Sequence, residues 1–268
     1  MSALPTLLLL GGGKMGSAML AAWLSEGVER VVVIDPDPAL APNPDPRVSL
    51  VRSCAEIPGD FTPGAIILAV KPQLAESAIA PLRGRADGAI IVSIMAGKTL
   101  AWLAEQFGPK AAVLRAMPNL PASVRQGITV VCAGAAVQPA QRSMADAILR
   151  CVGAVAFVDD ERLLDPVTAV SGSVPAYVFL LVELLEQAAK KQGIPADLAA
   201  RLARQTVIGA SALLAASDQT AEALRHAVTS KAGTTERALA VLMQPEAWPH
   251  AIDAAIDAAS QRSRDLSS

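Results

Sequence analysis

A chain of 268 residues is long enough for one or two domains with a sizeable buried core. At 52% apolar and 18% charged residues, it is neither an intrinsically disordered nor a collagen-like chain. Lys and Arg total 23 against 25 Asp and Glu, a net charge of −2, with three Trp, one Tyr and four Phe, so neither a basic field nor a stacking platform points to nucleic acid or an anionic membrane surface.

Thr6–Leu10 is an apolar run that meets Gly11-Gly12-Gly13-Lys14-Met15-Gly16 directly. Ala18, Met19, Ala22 and Trp23 then recur at helical spacing until Gly27. Val31–Ile34 follows as a second apolar run ending in Asp35. Strand, glycine loop, helix and strand within about 30 residues make a βαβ unit, and continuous apolar runs suit parallel strands covered on both faces. Pro36, Pro38, Pro42, Pro44 and Pro46 mark an irregular crossing without a full helix. Further strands are expected at Ala65–Val70, Ala89–Ile94, Ala111–Met117, Ile128–Ala133 and Ala154–Val158, with helices near Gln73–Leu82, Thr99–Phe107 and Pro139–Cys151. This half is a doubly wound α/β sheet of Rossmann type.

Beyond Asp160 the strand signal ends. Helices are expected at Leu163–Gln192, Ala196–Ala216, Thr220–Val228, Thr235–Met243 and Pro249–Arg264, giving an all-α second domain over 161–268 after a dinucleotide-binding domain over 1–160. Residues 166–182 are seventeen uncharged positions, short for a membrane span of about 20 and interrupted by Gly172 and Pro175, so a buried helix of a water-soluble core is expected. Met1–Leu10 lacks a basic stretch, and no signal peptide is expected. Cys54, Cys132 and Cys151 have no CxxC spacing, and the histidines are His226 and His250 alone. Reduced thiols in a cytoplasmic protein, with no metal site, are the expectation. A mean hydropathy of +0.40 is high for a small soluble monomer and suggests an obligate oligomer.

Gly11-x-Gly13-x-x-Gly16 fits the dinucleotide fingerprint: a tight turn, close approach of the pyrophosphate, and close packing of helix on strand, with the helix N-terminus facing the phosphates. Asp35 stands where a carboxylate would accept from a ribose 2′-hydroxyl and repel a 2′-phosphate; it serves equally as a strand-end turn residue, and the choice between NAD(H) and NADP(H) stays open. The loops around Ala69-Val70-Lys71-Pro72, Met95-Ala96-Gly97 and Met117-Pro118-Asn119 end later strands and should line the same crevice. Lys71 is either a crevice residue or a solvated charge; Asn119 either orients the nicotinamide or ends a turn. Thr229–Glu236 places hydroxyls and a glycine before a helix, which makes either an N-cap cluster or an anion pocket.

The glycine loop with Met15, Ala69–Gln73, Arg115–Asn119, Asp165–Phe179 (DPVTAVSGSVPAYVF) and Thr229–Leu239 (TSKAGTTERAL) together resemble the pyrroline-5-carboxylate reductase family over nearly the whole chain. The resemblance implies an NAD(P)H-dependent reductase making L-proline from 1-pyrroline-5-carboxylate, with a Rossmann domain and a helical domain interlocked with a second subunit in a dimer or larger assembly. It implies that Ser230 and the N–H groups of Gly233 and Thr234 hold the substrate carboxylate and that Thr235 is the catalytic hydroxyl beside the ring nitrogen. Gly11, Gly13, Lys14, Met15 and Gly16 would bind phosphates, with Asp35, Ala69, Lys71, Pro72, Ala96, Met117 and Asn119 along the cofactor. Lys14 replaces the family's usual Asn, Val174 the Gly of SGSGPAY, and Lys231-Ala232 the Pro-Gly of SPGG; ordinary dihedrals are expected at 174 and 232. Two rivals are a 3-hydroxyacid dehydrogenase, disfavoured because Lys190 and Lys191 sit at the far end of the first long helix, and a non-catalytic dinucleotide sensor.

Overall fold

The computed structural model describes residues 4–267; the first residues of the Met1–Leu10 segment and Ser268 lie outside the described residues. Eight strands form one sheet: β1 (Leu7–Leu10), β2 (Val31–Ile34), β3 (Val48–Val51), β4 (Ala65–Leu68), β5 (Ile90–Ser93), β6 (Ala112–Met117), β7 (Gly127–Ala133) and β8 (Gly153–Val158). Their order is β3-β2-β1-β4-β5-β6-β7-β8. The first six run parallel, β7 is antiparallel to β6, and β8 is parallel to β7. The reversal at β7 makes the sheet mixed. Its cause is length: the nine residues 118–126 are fewer than the dozen or so a parallel crossover takes.

Strand alternation splits the core between the two faces. Leu7 and Leu9 pack with Met19, Trp23 and Ile148, from α1 (Lys14–Ser25) and a later helix, while Leu8 and Leu10 pack with Ile79, Leu82 and Leu103. The fully buried Trp23 donates its indole N–H to Ile148 O at 3.0 Å, so no polar atom is lost with it; removing the ring would cost about 3–5 kcal/mol. Gly27, at φ +81°, ends α1 as expected. The single helix expected over 73–82 is reduced to α2 (Ala75–Ile79) between 3₁₀ turns, because Pro81 has no N–H to continue it. The helices α3 (Leu100–Phe107) and α4 (Pro139–Arg150) lie within a residue of expectation.

The helix expected over 163–192 is broken. A short α5 (Leu164–Val167) leads into a π turn over Thr168–Gly172 before α6 (Val174–Lys191) begins. Pro175 is the reason: it lacks an N–H, and its ring displaces the carbonyl of Ser171, four residues earlier. The helices α7 (Ala196–Ala215), α8 (Ala221–Ala227), α9 (Thr234–Leu242) and α10 (Trp248–Ser267) complete the chain.

Two compact units result. One runs to Gly172 and takes in the stretch from Ala259 onward; the other is Ser173–Ala258. The first unit reaches past the expected boundary at 160 because Leu164 is buried with Val130 and Cys132, and Asp165 accepts from Ser263 Oγ at 2.7 Å. Within the second unit α6 packs on α7, yet none of its residues is buried. Phe179, Leu180 and Leu184 are half or more exposed. The expectation of a buried core helix therefore fails for the single chain. By length and composition alone, Glu161–Lys191 is apolar enough to cross a membrane.

Candidate active site

The parallel strands deliver five loops to one edge of the sheet: those after β1, β2, β4, β5 and β6. β1 lies between β2 and β4, where the strand order reverses, the position at which open α/β sheets bind ligands. The loop after β1 is built from three glycines with three different duties. Gly11 has φ +102°, and a Cβ on it would stand 2.8 Å from Ala69 O, so it lets the β1 and β4 loops touch. A Cβ on Gly16 would stand 2.1 Å from Gly11 O, which fixes the approach of α1 to the turn. Gly13 is exposed, and a Cβ on it would meet nothing within 4 Å. It caps α1 without a side-chain bond, leaving first-turn N–H groups, beginning with Lys14 and Met15, to an outside acceptor. A dinucleotide's pyrophosphate fits that opening.

At the end of β2 the Asp35 carboxylate is tied to its surroundings. Oδ2 accepts from Gly12 N–H at 2.7 Å and Oδ1 from Asp37 N–H at 2.9 Å. Arg52 Nη1 donates to the carbonyls of Asp35 (3.1 Å) and Asp37 (2.6 Å), and Nη2 to Leu40 O (2.9 Å). The segment 36–47 has no helix, as its prolines dictate, and a cavity of about 250 Å³ remains between it, α1 and β3, lined by Gly12, Ser17, Leu20, Leu40, Pro42 and Val48.

The other crevice residues divide by environment. Lys71 is exposed and opens a 3₁₀ turn with Pro72 next, while Ala69 and Met117 are half-buried and Ala96 is exposed beside Gly97 at φ +73°. Asn119 is committed to structure: Nδ2 donates to Ser171 O at 3.1 Å and Oδ1 accepts from Ile128 N–H at 2.9 Å. It thus satisfies the carbonyl that Pro175 frees. Arg115, 6% exposed, pairs with Glu161 at 2.9 Å, and the same carboxylate oxygen accepts from Leu100 N–H. Neither this pair nor Arg52's role had a signal in the sequence.

In the second unit, Ser230-Lys231-Ala232-Gly233 forms a β-turn closed by Gly233 N–H on Ser230 O at 3.0 Å. Ala232 has φ +59°, the third-position requirement of a type II turn, for which Pro-Gly is the best central pair. The expectation of an ordinary dihedral is thus corrected at 232. At 174 it holds, since Val174 opens α6. The Gly233 N–H, expected to hold a carboxylate, is used by the turn itself; the residue's contribution is its missing Cβ, which would sit 3.0 Å from both Ser230 O and Ser230 Oγ. Ala232 N–H donates to Glu236 Oε2 at 2.8 Å. Gly233 then caps α9 without a side chain. Among the described residues the first-turn N–H groups of Thr234 and Thr235 take no acceptor. The hydroxyls of Ser230, Thr234 and Thr235 make no hydrogen bond among the described residues. Plain capping by a side chain is therefore not what these hydroxyls do.

Residues 161–266 match the family described as pyrroline-5-carboxylate reductase dimerisation, and residues 6–97 that described as NADP oxidoreductase, coenzyme F420-dependent. A pyrroline-5-carboxylate reductase of Synechocystis sp. is 37% identical over 265 residues, covering 96% of this chain and 97% of that one. One from Pseudomonas aeruginosa is 36% identical over 269 residues, covering 98% and 97%. Among solved structures, a pyrroline-5-carboxylate reductase from Coxiella burnetii has a TM-score of 0.88 at 29% identity, with 98% of each chain covered. The Plasmodium falciparum pyrroline carboxylate reductase with NADP bound has a TM-score of 0.83 at 26% identity, again over 98% of each.

Proposed function

The chain belongs to the pyrroline-5-carboxylate reductase family, and on that premise we propose that the glycine loop of its first unit and the hydroxyl-lined turn before α9 hold the two reactants. The reaction is reduction of the C=N bond of 1-pyrroline-5-carboxylate to L-proline with NAD(P)H. When bound, the reduced nicotinamide supplies the hydride to the imine carbon. Gly11, Gly13, Lys14, Met15 and Gly16 would take the pyrophosphate, with Asp35, Ala69, Lys71, Pro72, Ala96 and Met117 flanking the rest. Asn119 shapes the crevice floor through its bonds to Ser171 and Ile128.

The turn and its unpartnered hydroxyls carry the substrate assignment. The substrate places a carboxylate one carbon away from a ring nitrogen. Ser230 Oγ and the Thr234 and Thr235 N–H groups are donors suited to the carboxylate, reinforced by the positive end of α9. The Thr235 hydroxyl accepts from the iminium N–H and, being both donor and acceptor, still serves the product amine. A protonated imine is already electrophilic, so these residues contribute through binding and orientation, an effect that reaches several kcal/mol. Two copies assemble through the exposed apolar faces of α6 and α7, with the substrate turn facing the nicotinamide crevice of the partner. The free cysteines Cys54, Cys132 and Cys151 suit a soluble cytoplasmic enzyme.

Loss of reduced-nicotinamide absorbance on mixing the protein, 1-pyrroline-5-carboxylate and either NADH or NADPH tests the activity. Thr235→Ala should lower kcat/KM at least about tenfold, or 1.4 kcal/mol. Unchanged kinetics in that variant would remove Thr235 from the chemistry, and no turnover of the unmodified protein with either cofactor would remove the function.

A further inference from the structure

The end of β2 holds a carboxylate whose orientation is set by its hydrogen bonds to the backbone. Resting on the reading above, we infer that Asp35 makes this chain selective for NADH over NADPH. The carboxylate is fixed by two backbone donors, Gly12 N–H on Oδ2 and Asp37 N–H on Oδ1. Each oxygen keeps a second lone-pair site, so a pair of ribose hydroxyls meets two acceptors held in place. A 2′-phosphate at the same point meets a fixed negative charge and brings nearly two more.

A site for that phosphate needs a cation, and the two arginines of this segment are already occupied. Arg52 is turned into the loop, with both terminal nitrogens on the carbonyls of Asp35, Asp37 and Leu40. Freeing it would undo the loop that positions Asp35. Arg47 lies before β3, whereas Asp35 hydrogen-bonds to Val51 at its far end, a separation of about 13 Å along four residues. It is also paired with Asp45 at 2.6 Å and bonded to Val28 O. Lys14, at the start of α1, flanks the pyrophosphate loop, which both dinucleotides share. Asp37, whose Oδ1 accepts from Ala39 N–H, adds a second carboxylate to this loop.

The test separates the nucleotide site from the activity. Binding of 5′-AMP and of adenosine 2′,5′-bisphosphate to the unmodified protein, measured by calorimetry, isolates the effect of the 2′-phosphate; the bisphosphate should bind at least tenfold more weakly. Fluorescence titration should show the same order for NADH and NADPH, and kcat/KM with pyrroline-5-carboxylate should favour NADH at least tenfold. Asp35→Asn, with its fold checked by circular dichroism, should lower that ratio severalfold, chiefly through the KM for NADPH. Equal or tighter binding of the bisphosphate, or a ratio favouring NADPH, overturns the inference, as does an unchanged ratio in a folded Asp35→Asn. Absence of turnover with both cofactors alongside selective nucleotide binding would instead count against the reductase assignment alone.

Discussion

Replacing Ala232 by glycine should stabilise the protein, the reverse of what such a change does at most positions. Ala232 is held at φ +59° by the turn that Gly233 N–H closes on Ser230 O. A residue with a Cβ pays about 1–2 kcal/mol in the left-handed region, and glycine returns about 0.4–1 kcal/mol of that through the greater freedom of the unfolded chain. The difference is a gain of about 0.7 kcal/mol, or roughly 1–3 °C in Tm for a protein of this size. Thermal unfolding at one fixed protein concentration measures it, since an assembling chain unfolds in a concentration-dependent way. Val174→Gly is the matched control. Val174 is the first residue of α6, where glycine gains nothing and costs up to about 0.5 kcal/mol in helix propensity. The two glycine substitutions should therefore move Tm in opposite directions. A fall of a degree or more in Ala232→Gly would show that residue 232 does not occupy the left-handed region in solution, and the type II turn would go with it. The same variant should keep or lower the KM for pyrroline-5-carboxylate, because a relaxed turn holds the same donors.

Gly13→Ala should leave thermal stability within about 0.5 kcal/mol, since φ −64° and an empty surround admit a methyl group. It should nevertheless weaken NADH binding at least about tenfold by standing between the amides and the pyrophosphate; unchanged affinity would place the phosphates elsewhere. Burial, aided by the charge of Glu26, pushes the Cys151 thiol up to about 11. The unfolded chain ionises near 9 and the folded one does not, so stability should decline as pH rises from about 9 to 11. At pH 8 Cys151 should hold about a hundredfold less thiolate than an ordinary thiol and alkylate after Cys54; equal labelling rates by mass spectrometry would contradict its burial. Phe179→Glu, at a position 62% exposed on α6, should convert an oligomer to smaller species by gel filtration, and an unchanged elution volume would put the assembly surface elsewhere.

Continuous apolar runs between glycines and prolines made the six parallel strands nearly legible, except β3: Val48–Val51 carries Ser49 and follows the proline-rich crossing, so its burial depends on neighbours and not on local alternation. The direction of β7 was implicit in a connection too short for a crossover. The π turn was harder to read, because Thr168, Ser171 and Gly172 each fit a helix alone, and the break needs Pro175 acting on a carbonyl that Asn119 then satisfies. At the site, residue identities pointed to the glycine loop and the hydroxyl cluster, whereas the use of hydrogen bonds did not show. That Gly233 N–H is consumed by its own turn, that Arg52 is spent on carbonyls, and that Arg115 is buried against Glu161 all depend on pairings between distant or unremarkable positions.

The proline-rich segment between β2 and β3 contributes no rung to the sheet between Asp35 and Arg47, bonds mostly to itself, and leaves a hollow beneath it large enough for several more side chains. Such a stretch behaves as an exchangeable cassette: it can lengthen, shorten or coil into a helix while the strands on either side keep their register. Any such exchange leaves the core intact and has first to open one latch, the guanidinium of Arg52 on the carbonyls of Asp35, Asp37 and Leu40.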